Sequence, residues 1–318
     1  MKRNENITGF RRFLYYYLRS MRLYYGFVTA TTVLAGLCLA HGTYNELKLS
    51  WTLNDFPWTL RDAGLLAMGF LAWGFNQIFS DWCDRKEDAI NAPHRPMVTG
   101  ALSPLPAFAV SAAGLAAIAV AGYLMSPWTL AFLALGGVLN IAYSLLKRVP
   151  VLNCLVYACA ISCCALFAIA GAAWRCPNAQ ELEFVWVWIV PAHFLMCHNS
   201  YFKDVDGDRA AGVRTLQTIC PRVALFVSLC CPCLAVLRMN FLSWFNVGCF
   251  FLSVVIIAVV IVFQRLVSHY MFHRATCLNC QLCVITLLLH FIAATWLYAI
   301  VSLVAIQLLF LWYNDEKE

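Results

Sequence analysis

Ser80-Asp81-Trp82-Cys83-Asp84-Arg85-Lys86-Glu87-Asp88 closes an apolar run that begins at Gly64, and Pro93-His94-Arg95-Pro96 follows it. Four acids in eight residues stand out in a chain that is 62% hydrophobic and only 12% charged. Read as helix, Asp81, Asp84 and Asp88 fall at i, i+3 and i+7 and share one face. Three carboxylates on one face repel each other unless a cation sits among them. Hard oxygen ligands suit Mg²⁺, which commonly takes one or two carboxylates and completes its shell with substrate phosphate and water. Asp204-Val205-Asp206-Gly207-Asp208 follows another apolar run, with Asp204 and Asp208 one helical turn apart. Two acid-rich helix ends flanked by Arg and Lys suggest a site for a diphosphate held through magnesium.

The composition around these clusters sets the class. A mean hydropathy of +0.73 over 318 residues indicates an all-α polytopic membrane protein, because a soluble core cannot hide that much apolar sequence. The 16 cysteines are scattered through apolar runs and read as small buried hydrophobes. Cys277-x-x-Cys280-x-x-Cys283 beside His273 has metal-site spacing but lacks a fourth ligand in a suitable pattern.

Residues 1–22 interleave Lys2, Arg3, Arg11, Arg12, Arg19 and Arg22 with tyrosines and read as a basic interfacial helix. Apolar runs then occupy 22–40, 60–80, 103–122, 128–146, 152–173, 184–202, 220–238, 243–264 and 284–311, nine expected spans in one domain covering 1–318. With the amino terminus cytoplasmic, the alternation leaves only Lys48, Arg61, Arg175, Arg238 and Lys317 of the 22 basic residues outside. Nine is odd, so the two ends are expected on opposite sides. The acidic clusters follow spans two and six, and both open on the cytoplasmic side. The expected location is a multi-pass membrane protein, in the inner membrane if the source is bacterial, and nucleic acid is not an expected partner.

Other residues extend the candidate site. Arg95, framed by Pro93 and Pro96, sits in a stiff turn that aims a guanidinium at phosphate oxygens. Lys147 closes the fourth span behind Tyr143, while Lys203 and Arg209 bracket the second cluster. Asn76 and Ser80 are one turn apart on the helical side of Asp84, placed to donate to a phosphate or orient an acid. His193, His198 and Asn199 lie in or near the sixth span, where a satisfied core histidine is the commoner case.

SDWCDRKEDAINAPHRPMVTG, from Ser80 to Gly100, resembles the first motif of the UbiA-type intramembrane prenyltransferases, N-D-x-x-D-x-x-x-D followed by R-P-x-x-S-G. DVDGDRAAG, from Asp204 to Gly212, resembles their second motif, and Tyr143-Ser144-Leu145-Leu146-Lys147 matches the Tyr-x-x-x-Lys often found between the two. The resemblance covers nearly the whole chain. It implies nine helices around a central cavity, one Mg²⁺ on Asp81, Asp84 and Asp88, and a second on Asp204 and Asp208. It also implies diphosphate contacts from Arg95, Lys147 and Lys203. The activity implied is Mg²⁺-dependent transfer of a prenyl group from an isoprenyl diphosphate, with an aromatic ring as the expected acceptor and the lipid bilayer as surroundings. Ser80 stands where the family has Asn, and Asn76 one turn back is a possible replacement for the lost amide. The run DWCDRKEDAINAPHRP is similar to the chlorophyll synthase and archaeal ether-lipid branches. A prenyl-diphosphate cyclase or lyase on the same fold uses the same metals without an acceptor. A transporter with acidic ion sites is the competing reading from another class, and it places such charges near mid-membrane.

Overall fold

The computed structural model describes residues 9–45, 50–83, 85–146, 148–210, 212–228, 248, 251–252, 255–256, 258–259 and 269–313. The elements are α1 (Gly9–Ser20), α2 (Gly26–His41), β1 (Thr43–Asn45), β2 (Ser50–Thr52), α3 (Leu60–Cys83), α4 (Arg85–Asn91), α5 (Pro104–Met125), α6 (Pro127–Leu146) and α7 (Leu152–Ala173). They continue with α8 (Ala179–Phe184), α9 (Val190–Ser200), α10 (Val205–Ala210), α11 (Leu216–Ile219), α12 (His269–Ile285) and α13 (Ile292–Trp312). A π turn, Val185–Ile189, fuses α8 to α9, and a 3₁₀ turn, Tyr201–Asp204, carries α9 into α10. Among the described residues, α3, α5, α6, α7 and the continuous stretch Met271–Trp312 are long and apolar enough to cross a membrane.

Local chemistry sets the helix ends. Pro104 and Pro127 open α5 and α6, where the missing N–H costs nothing. Asn178 and Glu181 form a reciprocal capping box on α8, and Trp174 ends α7 in the left-handed region at φ +55°. Thr59 and Asp62 cap α3 by exchanging backbone and side-chain bonds.

The core forms where α2, α7, α9 and α12 meet, around Leu34, Ala35, Ala165, Ile169, Leu195, Cys280 and Val284. α2 has only 16 residues yet is almost wholly buried. It presses so closely on α7 that a Cβ at Gly36 would lie 2.4 Å from the Ala165 carbonyl oxygen. Small residues let helix backbones approach where lipid supplies no hydrophobic drive.

The helices run alternately between two faces. α3 and α9 both end at one face, which carries the acidic motifs. The other face is closed by the antiparallel β1–β2 hairpin, which pairs Tyr44 with Trp51, and by two polar side-chain pairs. His41 Nε2 lies 3.0 Å from Asp62 Oδ1, and Arg175 grips both Glu181 oxygens at 2.7 Å. Arg61 lies over the Trp174 ring on this face, as its expected position opposite the motifs requires.

The carboxy-terminal third corrects the expected topology. The expected ninth span over 284–311 corresponds to the 3₁₀ turn Thr286–Phe291 and α13, and α12 precedes it as a further helix that hydropathy did not mark. His290 in that turn packs on Phe184 and Trp188 at the hairpin face. α13 then returns: Tyr313 Oη donates to the Leu18 carbonyl, and Arg19 Nη2 donates to the Tyr313 carbonyl at 3.2 Å. Both ends of the described chain therefore meet at the motif face. The stretch 265–283 lies outside the expected spans, but from His269 onward it is helix. Its polar residues find partners inside the bundle: Gln281 donates to Thr31 and Ser302 at 3.1 Å each, and Asn279 accepts from Asn199 at 3.2 Å. Hydropathy counts such residues as exposed, whereas hydrogen bonds between helices make them internal. Cys277, Cys280 and Cys283 are buried here, with Cys277 Sγ 3.3 Å from Tyr25 Oη. The expected spans over 220–238 and 243–264 lie mostly outside the described residues.

Candidate functional site

The first motif is assembled where α1, α3 and α4 converge. Asp81, near the end of α3, is 3% exposed and collects three donors. Gln77 Nε2, one turn back, reaches Oδ1 at 2.9 Å, Arg22 Nη2 lies 3.3 Å from both oxygens, and Arg95 Nη1 is 3.4 Å from Oδ1. The same Arg95 nitrogen also donates to Asp88 Oδ2 on α4. Two carboxylates thus converge on a single cationic point. That arrangement of hard oxygen donors fits a Mg²⁺ ion. Burial pushes the Asp88 carboxyl above its ordinary pKa, and the Arg95 charge partly offsets this.

Arg22 reaches Asp81 because the chain turns sharply between α1 and α2, with Arg22 itself at φ +46°. That backbone costs a non-glycine residue about 1 kcal/mol. The sequence reading counted Arg22 only as a membrane-surface anchor. Its one local signal was a charge directly abutting the first apolar run. Asn140 and Tyr201 were also missed, because their partners lie on other helices, whereas Gln77 carried a readable signal in its i,i+4 spacing to Asp81.

α6 links the two motifs. Asn140 Nδ2 donates to Asn76 Oδ1 on α3 at 3.1 Å. One turn further on, Tyr143 Oη lies 2.9 Å from Tyr201 Oη in the 3₁₀ turn that ends in Asp204. Residues i and i+3 share a helix face, so one face of α6 meets the helix of the first motif and the base of the second.

The second motif is more open. Asp204 and Asp206 are exposed, and Arg209 lies 4.0 Å from Asp206, its own neighbour at i,i+3. Asp208 is half-buried, and the chain closes after α10 through Gly212 at φ +67°. Beneath it the support is firm. Gln217 donates to the His198 carbonyl at 2.7 Å and to Nδ1 at 3.1 Å, which leaves the Nε2 proton for the Ala224 carbonyl at 2.8 Å. His198 is therefore a satisfied core residue, as the commoner reading holds. His193 is likewise buried, with Nε2 2.8 Å from Thr32 Oγ1. Asp84, Lys147 and the side chain of Lys203 lie outside the described residues. Among the described residues no three His, Cys, Asp or Glu side chains cluster closely enough to hold a metal alone.

Below the motifs lies a cavity of about 250 Å³ between α2, α3, α5, α6 and α7. Asn76 and Asn140 stand at its motif end, and Trp73, Met68, Phe132 and Phe167 line the rest. On α3 its lining residues Gly69, Ala72, Trp73 and Asn76 form a stripe at helical spacing that continues to Ser80. On α6 the lining residues Leu133, Gly136, Gly137 and Asn140 lead likewise to Tyr143 and Ser144.

The model of the UbiA prenyltransferase family matches residues 28–276. The chain belongs to that family. It is 30% identical over 164 residues to the bacteriochlorophyll synthase 33 kDa chain of Rhodobacter capsulatus, covering 49% of this chain and 54% of that one. It is 28% identical over 254 residues to the digeranylgeranylglyceryl phosphate synthase of Methanoculleus marisnigri, covering 78% and 84%. The matched segments span about half the length of the bacteriochlorophyll synthases. A UbiA homolog from Aeropyrum pernix K1, solved in its apo form, superposes with a TM-score of 0.61 at 20% identity over 83% of this chain and 97% of that one. At that identity the likeness speaks for the fold, and the fold is that of a UbiA homolog.

Proposed function

We propose that this protein transfers a prenyl group from an isoprenyl diphosphate to a lipophilic acceptor, with Mg²⁺ as cofactor and the motif face toward the cytoplasm. One observation carries the reading: the Asn76–Asn140 pair stands between the acidic ends of the bundle and an apolar cavity. A diphosphate with a hydrocarbon tail has the same two-part character. In this reading Asp81, Asp84 and Asp88 hold one Mg²⁺, and Asp204 and Asp208 a second. Bound there, Mg²⁺ supplies the neutralisation of the leaving diphosphate that allylic C–O cleavage needs.

The remaining roles belong to the chain. Arg22 and Arg95, already on Asp81, are within reach to exchange a carboxylate for a phosphate oxygen once the metal neutralises the acids. Lys147, Lys203 and Arg209 add positive charge around the diphosphate, and Ser80 and Asn76 orient its inner end. The apolar walls exclude water from the allylic carbon, and the Trp73 ring, packed 5.6 Å from Tyr25, offers a π face to developing positive charge. The acceptor classes to test are the expected aromatic ring and the chlorophyll-type and glyceryl phosphate classes suggested by the relatives.

The test is diphosphate release by the purified protein in nanodiscs. Prenyl diphosphates are supplied with and without Mg²⁺ and with each acceptor class. Release that needs both Mg²⁺ and an acceptor supports transfer and identifies the acceptor. Release without acceptor replaces transfer by a cyclase or lyase, and no release with any combination overturns the proposal.

A further inference from the structure

Arg22 reaches Asp81 from a turn in which its own backbone is left-handed, at φ +46°. A non-glycine residue keeps such a conformation only where its surroundings over-determine it. Here those surroundings come from the far end of the chain. α1 ends at Ser20 and α2 begins at Gly26, so the helical ladder breaks between them. In an unbroken helix the Arg22 N–H would donate to the Leu18 carbonyl and the Leu23 N–H to the Arg19 carbonyl. Instead the Arg22 N–H donates to the Arg19 carbonyl at 3.2 Å. The Leu18 carbonyl and the Leu23 N–H must then find partners outside the ladder.

One hydroxyl serves both. Tyr313 Oη donates to the Leu18 carbonyl and accepts from the Leu23 N–H at 3.3 Å. A phenol has one proton to give and lone pairs to receive, so the two bonds are compatible. A single oxygen thus bridges the two sides of the turn that carries Arg22. Tyr313 is itself held in place. It is buried, its ring meets Tyr24 edge-on at 5.2 Å, and it shares a cluster with Ile306 and Phe310 of α13. Its carbonyl accepts from Arg19 Nη2 at 3.2 Å, so main chain and side chain of Tyr313 grip the same turn. Without the bridge, Leu18 and Leu23 regain ladder partners if Arg22 returns to helical backbone. That change redirects the Arg22 side chain away from Asp81.

We propose that Tyr313 is a positioning residue for the diphosphate site, its hydroxyl locking the turn that aims Arg22 at Asp81. This rests on Arg22 and Asp81 acting in diphosphate and Mg²⁺ binding, as proposed above. Tyr313 acts through Arg22 and not on the ligand. Tyr313→Phe keeps the ring and its packing and removes only the bridge.

The experiment is a double-variant cycle on the full-length protein in nanodiscs, with Tyr313→Phe, Arg22→Ala and the two combined. It reads the binding of inorganic diphosphate in the presence of Mg²⁺, a probe without a prenyl tail, and the kcat and KM of diphosphate release from a prenyl donor. Tyr313→Phe should weaken diphosphate binding about five- to tenfold and raise KM more than it lowers kcat. Arg22→Ala should weaken binding at least as much. The combined variant should match Arg22→Ala alone, because the bridge then has nothing left to aim. Tyr17→Phe cuts a different bond of α1, the 2.8 Å contact with Ser111, and should bind diphosphate as wild type does. An equal loss there would mean general loosening of α1 and overturn the proposal. Losses that multiply in the combined variant, or wild-type binding by Tyr313→Phe or Arg22→Ala, overturn it while leaving prenyl transfer intact. If Tyr313→Phe melts before assay, Arg19→Ala, which frees the Tyr313 carbonyl, takes its place in the cycle. A loss that vanishes in the Arg22→Ala background then supports the role, and one that persists overturns it. A wild type that neither binds diphosphate with Mg²⁺ nor releases it from any prenyl donor overturns the reading beneath.

Discussion

Asp81 and Asp88 are buried and gripped by arginines, whereas Asp204 and Asp206 are exposed on a 3₁₀ turn and a six-residue helix. The two motifs share the same residue chemistry but not the same environment. The first is neutralised from within: Arg22 comes from the amino-terminal turn and Arg95 from the loop after α4, so charges distant in sequence meet at low exposure. The second leaves Asp204 and Asp206 in solvent and fixes the ground under them through Tyr143–Tyr201 and His198–Gln217. Under the proposed function, the first cluster would exchange arginine for metal on binding, while the second would gather its metal at the surface. In both motifs a glycine closes the turn in the left-handed region, Gly100 at φ +74° and Gly212 at φ +67°.

The comparison breaks first in catalysis. Asp84→Ala and Asp208→Ala should each lower kcat/KM by about 10² to 10³-fold, equivalent to about 3–4 kcal/mol, while the melting temperature stays near wild type. Retained turnover in either folded variant would remove that motif from the chemistry. Next comes the contrast between arginines. Arg95→Ala leaves two buried carboxylates facing each other and should cost about 2–3 kcal/mol of stability, after allowance for its partial exposure. Added Mg²⁺ should restore part of the loss by binding the folded state. Arg209→Ala, in an exposed pair, should leave thermal unfolding unchanged.

Tyr143→Phe removes one hydroxyl contact below the second motif and should cost about 1 kcal/mol, read as a lower melting temperature. It should weaken Mg²⁺-dependent stabilisation without altering the first motif. The smallest effect concerns pH in the absence of metal. Burial raises the Asp88 pKa in the folded state, so the folded protein holds this proton more tightly than the unfolded chain does. Stability from this group therefore falls as pH rises from the ordinary carboxylate value through the raised one. Asp88→Asn should flatten that slope, and denaturation curves between pH 3 and 7 would show whether it does.

Much of the site's outline was legible in the chain. Asp81 and Asp88 stand out against apolar sequence, and Asn76 shares a helical stripe with Ser80. The structure puts Asn76 at the cavity mouth and Asp81 among cations. Arg22 was not legible as a partner of Asp81, because 59 residues separate them and a basic leader explains the same charge. Asn140 and Tyr143 gave no sign of bridging the motifs, since that depends on where α6 packs.

By itself the sequence determined the membrane class, the two acidic motifs and the helices that end in them, because hydropathy and helical spacing are local properties. Tertiary structure decided the rest. It added α12 ahead of the expected carboxy-terminal span, because polar side chains on α12 find partners on other helices, and it returned Tyr313 to the face of α1. It also decided which cations meet which acids, and how deep a cavity lies beneath them. Hydrogen bonds and voids between helices depend on residues far apart in the chain, and no local pattern records them.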